Sequence, residues 1–377
     1  MTTLGGFVRY PRLAWSLAAL AIVATACTNT TGSVDPVPTA SPSTLATSSP
    51  LRPSGTAPSV AVVLPARQAR SIQEIDRERV AVHAIADNAI ANRIISSIRT
   101  VVPDRITTVG DVLEAMAEEG HDLVCALGPG AARAIRDVAP RFPGTLFCGT
   151  PGDLPDVPPN ALVFDLRVEE SAYLAGIAAA EAAAFVGSDD GSRPAMIVAD
   201  SGQASRLREA FDQGYSVSRA LVEPTVVRVA RTQSLAFDTA ESLYGAGVYL
   251  VYGSAGRVEQ GVVEAAKARG RLFIGTFADL ATQERDEGAS PSPSPSTDPP
   301  ADAWNLMLLG ENLSAAFRDT IDELASGWRG GARSLGFQNG ALTLTPGTSP
   351  IWERIAPQVL RTRDSLVAGT ELQVAGD

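Results

Sequence analysis

The chain has 377 residues, a formal net charge of −11 and only two histidines, His83 and His121. An acidic surface repels nucleic-acid phosphates and anionic lipid headgroups, which excludes both as direct partners. The histidines are far apart in sequence and no cysteine or carboxylate pattern with ligand spacing surrounds either, so neither a metal site nor a cofactor is expected.

The first residues, "MTTLGGFVRYPRLAWSLAALAIVATAC", place Arg9 and Arg12 before an apolar run from Leu13 to Val23, then Ala24, Thr25, Ala26 and Cys27. That order reads as an export signal over residues 1–26, and the run is short for a membrane span, which needs roughly 20 apolar residues. Small residues before a cysteine, followed by the polar "TNTTGS", resemble a bacterial lipobox, with Cys27 lipidated and the protein anchored on the outer face of the cell membrane. An ordinary cleaved signal with an incidental cysteine is the alternative. Residues 27–59 are mostly Ser, Thr, Pro, Ala and Gly. They bury too little apolar surface to offset the entropy of ordering, so they read as a flexible tether.

From Val60 onward, short apolar runs alternate with segments of helical period. The strand candidates are "VAVVL" (60–64), "LVCAL" (123–127), "TLFCG" (145–149), "ALVFD" (161–165), "AMIVA" (195–199), "TVVRVA" (225–230), "VYLVY" (248–252) and "RLFIGT" (271–276). Runs with no polar alternation indicate strands covered on both faces, and their alternation with helices indicates βαβ units in parallel sheets. The fold class is therefore α/β with two lobes: a first lobe over 60–165 and a second over 166–280. No second strand is evident before Leu123. Residues 281–303, built around "SPSPSPS", read as an exposed, disordered loop. The segment 304–377 returns across the hinge, part of it completing the first lobe. Within it "AWNLMLL" reads as a strand, "SLGF" and "ALTL" around "QNG" as a hairpin, and "IWERIAPQVLRTRDSLVAG" as a last helix limited or kinked by Pro357.

Cys125 and Cys148 lie in two of the apolar runs. If those strands are neighbours the pair can form a disulfide; otherwise they are two buried thiols.

The glycine turns carry no known phosphate or nucleophile signature. "YGSAG" at 252–256 lacks the Gly-Lys-Ser/Thr ending of a phosphate loop, and Gly253, Gly256 and Gly261 do not have dinucleotide-binding spacing. Neither histidine follows a strand end where it would serve Ser201 or Ser254, so no catalytic residues are expected. Position points elsewhere. In open α/β sheets ligands lie beyond the carboxyl ends of the strands. Those ends carry Arg67, Gly128, Pro129, Asp200, Ser201, Tyr252, Ser254, Gly256, Phe277 and Asp279. Facing one another across a cleft, they suit a small neutral polar ligand with a flat or apolar part better than an anion.

The order of segments resembles the basic membrane protein family, nucleoside-binding lipoproteins that feed ABC importers and have the type I periplasmic binding protein fold. The resemblance runs over "DLVCALGPGAARAIRDVAPRFPGTLFC", "NALVFDLRVEESAYLAGIAAAEAA", "AFDQGY", "ESLYGAGVYLVYGSAGRVEQGVVEAAKARGRLFIGTFADL" and "FRDTIDELASGWRGGARSLGFQNGALTL", roughly Asp122 to Leu344. It implies a solute-binding protein with an ABC permease as partner. Family members usually have Asp, Phe and Asn in the loop after the first strand, where this chain has "PARQARSIQ". The strand ending "IGTFADL" usually carries two acids, and here Phe277 stands at the first position and Asp279 at the second. A phenyl ring cannot replace charge-assisted bonds from a carboxylate to a ribose diol. These departures also fit a second reading, a binding-protein fold kept as an envelope interaction or sensor module with no transported ligand.

Overall fold

The computed structural model describes residues 57–151, 156–186, 193–199, 202–219, 225–276 and 304–369. The export signal, Cys27, the tether as far as residue 56 and the segment 281–303 lie outside the described residues.

The first sheet takes β1 (Ser59–Val63), β2 (Ser97–Val101), β3 (Leu123–Leu127), β4 (Leu146–Thr150), β5 (Ala161–Leu166) and, from much later in the chain, β11 (Gly331–Leu335). Its order is β11-β5-β4-β3-β1-β2, and every pairing is parallel. Side chains alternate between two cores, as a strand period of two requires. Cys125 and Leu127 join α1 (Ile72–Ala91) and α8 (Ser314–Ser326) on one face, while Val124 and Ala126 join α2 (Val109–Glu118) and α3 (Ala131–Val138) on the other.

The second sheet takes β6 (Ala195–Val198), β7 (Val226–Val229), β8 (Leu250–Ser254), β9 (Leu272–Gly275), β10 (Asn305–Glu311) and β12 (Leu342–Pro346), in the order β12-β10-β9-β8-β6-β7. Only the β10–β12 pairing is antiparallel. Helices α4 (Val168–Ala183), α5 (Ala204–Ser218) and α9 (Pro350–Val367) cover one face; α6 (Gln233–Gly245) and α7 (Glu259–Arg269) cover the other.

Three expectations change. Strand β2 was missed because it is an edge strand, "SIRTV", half exposed and with no apolar run. The segments around "QNG" are not a hairpin: β11 and β12 belong to different sheets. Gly340 does adopt φ +70, as an Asn-Gly turn favours, but the chain leaving it enters the other lobe. The last helix is Pro350–Val367, capped by Ser349, with Pro357 inside it and not at its start. Order also begins before Val60, because Asp122 accepts hydrogen bonds from the Ser59 N–H (2.7 Å) and hydroxyl (2.8 Å) and fixes the first residue of β1.

Cys125 and Cys148 are paired in register on β3 and β4, with Cα atoms 4.3 Å apart, and form a disulfide.

Helices α4 and α5 meet backbone to backbone at two glycines. A Cβ on Gly176 would strike the carbonyl of Phe211, and one on Gly214 would strike the carbonyl of Tyr173. Gly176→Ala and Gly214→Ala should each cost about 2–3 kcal/mol or more in urea unfolding, since backbone cannot yield as a flexible side chain does. Gly245→Ala, with open space at its Cβ, should leave stability unchanged or raise it by up to about 1 kcal/mol. Losses below about 1 kcal/mol at Gly176 and Gly214 would contradict this packing.

Candidate functional site: the strand ends between two lobes

Both sheets belong to one compact unit, Ser48–Asp377. The chain passes between them three times: from β5 to α4, from β10 to α8, and from β11 to β12. Hydrogen bonds tie the crossovers side by side. The first meets the third where the Arg167 N–H donates to the Leu335 carbonyl at 2.8 Å and the Phe337 N–H donates to the Glu170 carboxylate at 2.8 Å. The second meets the third where the Asn312 N–H donates to Ala341 (2.8 Å) and its side-chain amide donates to Gly340 (3.0 Å). Burial raises the pKa of Glu170 above the usual carboxylate range against the opposing pull of the Phe337 N–H and Arg167.

On the first lobe, Gly128 has φ +105, and a Cβ there would lie 2.9 Å from the Pro65 Cβ. Its place is therefore the close approach of the β3 loop to the β1 loop. Pro129 is exposed, and Gly130, at φ +89, leads into α3. Thr150 ends β4 ahead of a cis peptide to Pro151, and its hydroxyl is buried with no partner among the described residues. Arg67 is 64% exposed and 3.8 Å from Asp104. The arginine that reaches the lobe junction is Arg70, which pairs with Glu311 and, at 3.4 Å, with Glu74.

On the second lobe, Tyr252 lies within β8 and is 1% exposed, with its ring stacked on Phe211 at 5.9 Å between centroids. Its hydroxyl bonds to the Ser254 side chain. Burial first, then the carboxylates of Glu259, Glu311 and Glu169, push its pKa far above the ordinary tyrosine value, so it stays neutral. Ser254 is half-buried; Gly256 is exposed at φ +56. Asp200, Ser201, Phe277 and Asp279 lie outside the described residues.

The central group of this lobe is one the sequence reading did not single out. Glu259, fully buried in the first turn of α7, accepts hydrogen bonds from the N–H groups of Ala255 (2.7 Å), Gly256 (3.0 Å) and Thr276 (2.8 Å) and from the Thr276 hydroxyl. Gly253 and Gly275 make room for it, since a Cβ on either would press on Glu259 and Phe273. The "YGSAG" turn is thus an N–H cradle already filled by the protein's own carboxylate. An acid three residues into the segment that follows a glycine turn is the capping pattern that signals it in sequence.

Among the described residues, no group of three His, Cys, Asp or Glu side chains could hold a metal ion, and no helix is long and apolar enough to cross a membrane.

Two α/β lobes joined by three crossovers, with parallel strands ending toward a shared junction, define a two-lobe binding protein of the type I periplasmic class. Residues 68–284 match the model of the Bmp family, described as ABC transporter substrate-binding protein, PnrA-like. That is more than half of the chain, and the protein belongs to this family. The match begins well before Asp122, where the resemblance read from sequence starts.

Among solved structures, an ABC transporter solute-binding protein from Aeropyrum pernix K1 is similar at TM-score 0.58 and 18% identity, covering 85% of this chain and 94% of its own. One from Conexibacter woesei DSM 14684 gives 0.56 and 17%, covering 84% and 98%. A transcriptional activator of the comK gene from Bacillus halodurans gives 0.59 and 16%, covering 83% and 99%. At these identities the likeness is one of fold, shared by transport and regulatory proteins. A search of curated proteins returned no match. Family membership makes the chain an exported, non-enzymatic binding protein that takes a small molecule and works with an ABC permease.

Proposed function

We propose that the protein binds a small, uncharged, hydroxyl-bearing solute, nucleoside-like by its family, between the ends of its two sheets, closing by rotation about the three crossovers. The filled cradle at Glu259 supports this reading most strongly. The backbone donors that would hold a phosphate or carboxylate already serve an internal carboxylate. The arginines around the junction are likewise paired: Arg70 with Glu311 and Glu74, Arg167 with Glu170, and Arg206 with Glu169. The hydroxyls of Thr150, Tyr252 and Ser254 are neutral groups at the strand ends. A lipid on Cys27 would hold the folded part at the outer face of the cell membrane.

The second reading, an interaction or sensor module without a transported ligand, is favoured by Phe277 at the family's first acid position.

A thermal-shift screen separates the two. A ligand at 100 times its Kd stabilises by about 2.7 kcal/mol, which gives a shift of several degrees. A nucleoside or another neutral polyhydroxyl compound should raise Tm, whereas the matching monophosphate should not. Silence across nucleosides, bases, sugars and amino acids would leave the sensor reading. For the anchor, Cys27→Ser should move the protein from the membrane fraction to the soluble fraction; an unchanged distribution would remove the lipid from the account.

A further inference from the structure

The groups that grip the second crossover differ in what they join. Glu78, on α1 of the first lobe, accepts hydrogen bonds from the N–H groups of Leu313 and Ser314, both at 3.0 Å, at the N-terminus of α8. Those bonds lie inside one lobe, because α1 and α8 share the same core. Arg70, in the loop between β1 and α1, reaches instead to Glu311, the last residue of β10 on the sheet of the other lobe. The two grips sit on either side of Asn312, where the chain leaves one lobe for the other. Rotation at that point moves Glu311 relative to Arg70 and leaves the Glu78 bonds intact.

The Arg70–Glu311 pair has the environment of a structural contact more than that of a surface ion pair. The Arg70 side chain is 18% exposed and that of Glu311 28%. Burial disfavours the Arg70 cation, but Glu311, Glu74 and Glu78 outweigh it and hold its pKa above the ordinary value. Glu74 is itself fixed as the far end of a capping box with Ser71, which anchors the guanidinium from the first-lobe side. Separating the lobes would take from Arg70 its partner on the other lobe and leave Glu311 without this cation, so the lobe angle that keeps them together is favoured over others.

We propose that Arg70 and Glu311 form an interlobe latch that sets the angle between the two lobes, so that opening or closing the cleft requires this one ion pair to be remade. The claim concerns the protein without ligand and stands apart from the identity of any solute.

Pulsed electron paramagnetic resonance on the full chain tests it. Spin labels at Arg133→Cys on α3 and Arg228→Cys on β7, both exposed, report the distance between lobes. A Cys27→Ser background leaves the bonded Cys125 and Cys148 as the only other cysteines. The parent should give one narrow distance population. Glu311→Gln should add a second population of comparable size. Glu311→Asp, which keeps the charge and shortens the reach by one methylene, should add a smaller one and serves if Glu311→Gln does not fold. Glu119→Gln, which breaks the Arg99–Glu119 pair within the first lobe, should leave the distribution as in the parent. One unchanged population in both Glu311 variants would overturn the latch, and so would an equal change in Glu119→Gln.

Discussion

Glutamate carboxylates that accept backbone N–H groups fix the crossover segments and the second-lobe strand ends of this molecule. Glu78 takes two N–H groups at the start of α8, Glu170 takes Phe337 in the third crossover, and Glu259 takes three across the ends of β8 and β9. Burying a charge is costly, and only several charge-assisted bonds per carboxylate make it tolerable. The balance is visible in Glu78 and Glu170, whose pKa values stay raised by burial even though those bonds pull them down. Each carboxylate fixes a segment with no regular sheet or helix partner of its own. The crossovers and the strand ends of the second lobe are therefore built with the same device.

That device has a functional consequence. A glycine turn leading from a strand into a helix is the usual start of an anion site. Here the acid supplied by α7 fills it, and Gly253 and Gly275 are the residues that let the acid enter. Under the proposed function, what remains at the strand ends is hydroxyls and paired charges, a chemistry for neutral solutes. The glycines of "YLAG" and "FDQG", which carry part of the family resemblance, have a different role. Gly176 and Gly214 let α4 and α5 touch through their backbones, so they report packing in the second lobe and say nothing about a ligand.

Much of the fold was legible in sequence because most strands are covered on both faces and read as unbroken apolar runs. Strand β2 escaped because an edge strand carries no such run, and the β11–β12 turn was misassigned because an Asn-Gly signal is local while strand pairing is not. Most of the strand ends were legible in sequence, and the direction of their side chains was not. Strand ends could be named, but the stacking that buries the Tyr252 ring depends on Phe211, 41 residues earlier in the chain. The Arg70–Glu311 pair, separated by 241 residues, has no sequence signature at all. Glu259 did have one, a carboxylate placed to cap the turn before it.

The claim that the protein's own carboxylate closes its anion cradle is tested most directly by calorimetric titration of inorganic phosphate into the parent and into Glu259→Ala, after circular dichroism has shown the variant to be folded. The account predicts no binding to the parent and phosphate binding to the variant, where the N–H groups of Ala255, Gly256 and Thr276 are released. Phosphate binding by the parent, or none by the folded variant, would contradict it.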